Sequence, residues 1–105
     1  MSISERYRDI AAAVRGFLEE ARSRKPEPGK EVKFLEKALT VLDEHLESVG
    51  EIPRIRLETE LTPVLLKAHT HLDRARLLLE EDGVEDQGAA VWELEQKIYR
   101  LLNDL

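Results

Sequence analysis

Cysteine is missing from this 105-residue sequence, which excludes disulfides, thiolate metal sites and cysteine nucleophiles. Long apolar runs are missing too. Stretches such as Ile10–Val14 and Leu77–Leu79 fall far short of the roughly 18 to 20 apolar residues that span a bilayer. The first residues lack the basic-then-apolar pattern of a secretory signal, so the expected location is the cytoplasm or nucleus, with no membrane contact. The five glycines are scattered and form no phosphate-cradling loop. None of Ser2, Ser4, Ser23 and Ser48 lies in the Gly-x-Ser-x-Gly turn that presents a nucleophile. No catalytic constellation is therefore expected, and no cofactor.

A positive charge balance is also lacking. The formal net charge is −6, which argues against nucleic acid as the partner of the whole chain, because phosphate contacts rest on Lys and Arg. The imbalance is uneven: residues 1–30 carry an excess of +2 and the remainder an excess of −8. Arg22, Arg24, Lys25 and Lys30 form one small basic group, and Arg54 and Arg56 another. Cations at a helix C-terminus already have a dipole to serve, and no aromatic side chain is interleaved to stack a base. Nucleic-acid binding is expected to be weak and salt-sensitive at most.

Apolar residues at helical spacing are what the chain has in quantity. Charged residues make up 36% and apolar residues 42% of it. That balance suits thin helices with one buried stripe and a wide wet face, and it exceeds the charge of an average globular chain at roughly 25%. Residues 4–23 carry a stripe of Ile3, Tyr7, Ile10, Val14, Phe17 and Ala21, repeating every three or four positions. Ser2 and Glu5 fit a capping box at its start. Pro26 and Pro28 end this helix. A second helix is predicted over residues 29–49, with Val32, Leu35, Leu39, Leu42, Leu46 and Val49 as its stripe. A flanking stripe of Phe34, Ala38 and Val41 places this helix nearer the centre of the bundle. Gly50 is expected to cap it at positive φ.

The third segment keeps one rhythm through Leu57, Leu61, Leu65, Ala68, Leu72, Ala75 and Leu79, but Thr62-Pro63 interrupts it chemically. Thr62 can cap and Pro63 can start a helix. The reading is a main helix over residues 63–81, either preceded by a short helix or continuous and kinked at Pro63, with a break or kink near Thr62 favoured and Gly83 as the cap. A fourth helix is predicted over residues 86–103, with Val91, Leu94, Ile98, Leu101 and Leu105 inward. The short linkers make neighbours antiparallel. The expected fold is all-α: an antiparallel bundle of four main helices forming a single domain over 1–105, standing alone or cut from a larger protein.

Three histidines are present. His69 and His71, two apart, point about 200° from one another on a helix. His69 and Asp73 share a face but supply only two ligands of the three or four that zinc needs. No metal site is assigned. His45 and His69 are expected at helix seams and His71 in solvent. Trp92 and Tyr99 share a strip of helix four beside the core, with Glu95 and Leu102. Leu77, Leu78 and Leu79 point in different directions, so at least one must face outward. Phe34, Val41, Leu66, Leu77, Trp92 and Tyr99 are thus surplus to one core and are the candidate partner-binding residues.

The function expected from this surplus is a non-catalytic protein–protein interaction (adaptor or docking) module that binds a helix or peptide of its partner. The acidic surface favours a basic or amphipathic helix. The alternative is structural homodimerisation through the same stripes. A small metal- or ligand-binding enzyme and a weak nucleic-acid binder rank behind both.

Overall fold

A computed structural model describes residues 1–23 and 29–105 of the chain. Its elements are α1 (Ile3–Ser23), α2 (Glu31–Asp43), a short 3-10 turn at Val49–Glu51, α3 (Arg54–Glu81) and α4 (Glu85–Asp104), with no strand among the described residues. The proline-rich turn expected after α1 lies outside the described residues, as do Arg24 and Lys25.

The helices form a closed ring. α3 packs between α2 and α4, and α1 completes the circuit by touching both α2 and α4. Side-chain pairs fix the directions. Arg15 meets Asp43 and Arg22 meets Glu36, so α1 and α2 run antiparallel. Arg6 at the start of α1 meets Asp104 at the end of α4. Arg76 of α3 meets Glu95 of α4, while Gly88 near the start of α4 lies against Glu80 near the end of α3. The bundle is 44 Å long and 22 by 21 Å across, and α3 alone, 28 residues long, accounts for that length at about 1.5 Å per residue. The second helix is therefore no more central than the others, contrary to the sequence expectation: every helix has two neighbours, and the Ala38 stripe of α2 serves the α3 side.

One core runs through the ring. Tyr7, Val14, Leu35, Leu42, Leu61, Leu65, Leu72, Leu79, Val91, Ile98 and Leu101 are fully buried in it, each Leu or Ile worth roughly 1.5–3 kcal/mol of transfer free energy. The start of α1 has the expected capping box: the Ser2 amide donates to Glu5 Oε1 at 3.3 Å, and the Glu5 amide donates to Ser2 Oγ at 3.1 Å. The Ser2 hydroxyl, which donates to Glu5 Oε1 at 2.9 Å, and then the Ser2 amide hold the Glu5 carboxyl below its ordinary value. The inward face of α1 is turned slightly from expectation. Leu18 and Ala11 are buried, and Phe17 is only partly so.

Two features at the end of α2 differ from the sequence reading, each for a visible reason. α2 ends at Asp43 rather than Val49. Beyond it the backbone tightens: the amides of His45 and Leu46 donate to the carbonyls of Leu42 and Asp43, three residues back. Side chains of α1 take over the carbonyls of this stretch. The buried Tyr7 hydroxyl donates to the Leu42 carbonyl at 2.6 Å, and Arg8 donates to those of Leu46 and Glu47 at 3.2 and 3.4 Å. Gly50 is not at positive φ. It sits in the 3-10 turn, where a Cβ would come within 3.2 Å of the Arg8 guanidinium. Of the two readings left open for the third segment, the continuous one holds: α3 is one helix through Pro63. Pro63 is exposed, so water can satisfy the Thr59 carbonyl that the missing N–H leaves open. Gly83 has a φ of 75° and caps α3 as expected.

Candidate functional site

The outer surface shared by α3 and α4 is the most distinctive part of the molecule. Six large apolar side chains are exposed among the described residues, and four lie here: Leu66 at 52%, Leu77 at 42%, Trp92 at 48% and Tyr99 at 56%. Helical periodicity explains the grouping. Leu66 is one heptad before Asp73 and Leu77 one turn after it, while Trp92 and Tyr99 flank Glu95 by three and four positions. Asp73 and Glu95 belong to one cluster at the α3–α4 seam, so the four apolar side chains border that cluster. The Leu77–Leu79 triplet divides as geometry requires: Leu79 is buried, Leu78 half-buried and Leu77 exposed.

The cluster itself centres on Arg76. Its guanidinium donates to Asp73 at 2.6 Å, to Glu80 at 2.7 Å and to Glu95 at 3.1 Å. His69 Nε2 stands 3.6 Å from the other oxygen of Glu95. Glu95 is 2% exposed, and only one other charged side chain, Glu31, is counted with it as buried among the described residues. Burial pushes the Glu95 carboxyl up to about 7, and the Asp73 carboxylate adds to the rise, while Arg76 opposes it. Asp73 moves the other way, held below its ordinary value chiefly by the Arg76 bond. The two carboxyls therefore behave as a pair with separated protonation, sharing one cation. A close approach of the helices makes room for this arrangement. Gly88 is buried, and a Cβ on it would fall 3.2 Å from Glu80 Cγ.

The surroundings are acidic. From Leu77 to Gln96 the chain contains seven carboxylates and neither Lys nor Arg. Glu80, Glu81, Asp82, Glu85 and Asp86 are all exposed at this end of the hairpin. Arg76 lies at the centre of the cluster, and three carboxylates already hold it.

Phe34 and Val41 lie elsewhere. They sit on the α2–α3 side, partly buried and packed against the core. The Phe34 ring is covered by Lys37 and Arg74, at 5.1 and 5.8 Å from its centroid. Val41 lines a cleft of about 750 Å³, together with His45, Glu60, Pro63, Val64 and Lys67. The six candidate residues thus divide into four that share an open face and two that do not join them.

Of the histidines, His69 is at the α3–α4 seam as expected. His45 is half-buried, its Nδ1 without a hydrogen-bond partner among the described residues. His71 is not in open solvent: it is half-buried, and that burial, with Lys37 and Lys67 nearby, lowers its pKa. Among the described residues no group of three or more His, Asp or Glu side chains is arranged to hold a metal ion, and no helix is long and apolar enough to cross a membrane. Arg22 of the basic group is paired with Glu36 at 2.5 Å. Sequence reasoning placed Glu95 beside Trp92 and Tyr99 but missed its burial and its link to Arg76. The available signal was a polar line of His69, Asp73, Arg76 and Glu80 at helical spacing on the flank of α3.

What this geometry defines is an all-α, four-helix antiparallel bundle carrying an acidic-rimmed apolar face. No known protein family, curated protein or solved structure matches the chain.

Proposed function

We propose that this chain is a non-catalytic docking module that seats a basic amphipathic helix of a partner protein on the α3–α4 face. The observation that carries the reading is the convergence of Leu66, Leu77, Trp92 and Tyr99, each at least 42% exposed, on one face within an acidic surround. Aromatic anchors of this kind dominate interface energetics. Carboxylates around them speed and orient the approach of a cationic partner. A helix of three to five turns, laid along this face, would present apolar residues at every third or fourth position. The proposal involves no catalytic residue, no cofactor and no nucleic acid.

Calorimetry with two designed helical peptides of about 18 residues, roughly five turns, tests it. One carries leucine and lysine, the other leucine and glutamate, on the same pattern. The Leu/Lys peptide is expected to bind, and Trp92→Ala to weaken it by about tenfold or more. Equal binding of both peptides, no binding, or indifference to Trp92→Ala would defeat the reading. Light scattering examines the homodimer alternative, which shares the same residues. Docking of a separate partner predicts a monomer of 12.1 kDa, whereas a concentration-dependent dimer lost on Trp92→Glu would put self-association in its place.

A further inference from the structure

Glu95 is buried directly under the proposed docking face, between Trp92 and Tyr99 in sequence and against three α3 side chains in space. From α3 it meets the Arg76 guanidinium at 3.1 Å and His69 Nε2 at 3.6 Å, with the Asp73 carboxylate next to it on the same Arg76. Glu80 reaches the group through Arg76 at 2.7 Å. α1 packs on the opposite flank of α4, where Arg6 and Asp9 meet Lys97 and Arg100 around one cleft and Arg6 pairs with Asp104. α2 does not contact α4 among the described residues. Arg76 and, when protonated, His69 are thus the cations that face Glu95 among the described residues.

Counting charges shows what its proton controls. With Glu95 ionised, the cluster of Asp73, Glu80, Glu95 and Arg76 holds three negative charges and one positive. With Glu95 protonated, one of those negative charges is gone from beneath the aromatic pair. The site sits in partly desolvated surroundings, where a single charge is felt more strongly than in water.

We propose, resting on the docking reading above, that docking on this face is proton-linked through Glu95: the ionised carboxylate favours the basic helix, and the protonated carboxyl releases it. Linkage makes the relation reciprocal. A cationic partner draws the carboxyl toward ionisation, so docking expels a fraction of a proton, and affinity rises with pH. The working range surrounds neutrality, where this carboxyl changes charge. Signal changes in a cell or compartment of about one pH unit would then shift occupancy.

Two measurements on the intact chain test this. The Leu/Lys peptide is titrated by calorimetry between about pH 5.5 and 8.5, and the emission of Trp92, the single tryptophan, is followed over the same range without peptide. Affinity is expected to rise about three- to tenfold across the range, a tenfold change being one unit of pKa displacement. Trp92 emission should show a transition near neutrality. Glu95→Gln should remove both the slope and the transition. His69→Gln should keep them, which separates Glu95 from the nearby imidazole. Asp73→Asn removes the neighbouring negative charge and should move the midpoint downward, giving a second test should Glu95→Gln not fold. A pH-independent peptide affinity in the native chain, a slope that survives in Glu95→Gln, or a midpoint unmoved by Asp73→Asn overturns the linkage while leaving docking intact. A peptide that fails to bind at every pH, beside a normal Trp92 transition, instead overturns docking itself and the linkage with it.

Discussion

The two flanks of α3 make an instructive pair. Both carry candidate apolar side chains: Phe34 and Val41 on the α2 side, and Leu66, Leu77, Trp92 and Tyr99 on the α4 side. On the α2 side the surplus is covered. Lys37 and Arg74 lie over the Phe34 ring, and Val41 rests on the core. On the α4 side no cation lies over the Trp92 or Tyr99 ring among the described residues: the stretch from Leu77 to Gln96 has no Lys or Arg, and Arg76 is engaged by three carboxylates. Long cationic side chains cover apolar surface with their methylene stems and hold aromatic faces with their heads. Short carboxylate side chains do neither. Whether a surplus apolar residue stays open thus depends on the charge type of its neighbours as much as on its own position.

The largest expected contrast is within α3 itself. Leu72→Ala should cost about 2–5 kcal/mol, since Leu72 is fully buried and its removal leaves a cavity. Leu66→Ala, on the same helix but half exposed, should cost less than about 1 kcal/mol. Urea unfolding of both variants measures the difference. A similar cost for the two would mean that Leu66 is part of the core and that the α4 flank is not an open face.

The pH dependence of stability comes next. The native Glu95 carboxyl is raised from its ordinary 4.5 to about 7. Across that window the folded chain holds more protons than the unfolded one, so this group's contribution falls as pH rises from about 4.5 to 7. Asp73, held low by Arg76, acts oppositely: its contribution is complete above its ordinary value and is lost as pH falls below it. Glu95→Gln should abolish the decline toward neutrality, an effect of about 1–3 kcal/mol between pH 5 and 8. Thermal unfolding of the two proteins across that range checks the sign. A native chain that gains stability over the same interval would show that Glu95 is ionised at low cost.

A crossed pair of substitutions gives a smaller effect on stability but a sharper division of roles. Phe34→Ala should cost about 1–2 kcal/mol and leave Leu/Lys peptide binding unchanged. Trp92→Ala should cost under about 1 kcal/mol and weaken that binding about tenfold. Denaturation and calorimetry on the same samples would detect a reversal, in which Phe34 governs binding and Trp92 governs stability.

Much of this architecture was legible because it depends on local chemistry. The capping box of Ser2 and Glu5, the Gly83 cap and the inward stripes of α3 and α4 each follow from spacing within one helix. The exposure of Leu77 follows from three consecutive leucines that cannot share one direction. The features that escaped notice depend on a second helix. The early end of α2 follows from Tyr7 and Arg8 of α1 reaching the carbonyls of Leu42, Leu46 and Glu47. Within α3 alone, the choice at Pro63 stayed open between two readings, because an exposed carbonyl one turn earlier permits continuity and the residue types at Thr62-Pro63 suit a fresh start equally well. Glu95 is polar in sequence and buried in space because Arg76, nineteen residues away, supplies its partner. Spacing along α4 places Glu95 correctly between Trp92 and Tyr99, but the crossing register of two helices decides what it meets. In the same way, the six candidate residues follow one by one from spacing, while their separation into two flanks required the packing order around the ring.

Backbone amide shifts recorded by NMR during titration with the Leu/Lys peptide test the central claim most directly, because they report both flanks of α3 at once. Docking on the α3–α4 face predicts shifts confined to residues around Leu66, Leu77, Trp92, Glu95 and Tyr99, with Val41, His45 and Lys67 of the α2–α3 cleft undisturbed. Shifts concentrated in that cleft, or none at saturating peptide, would contradict it.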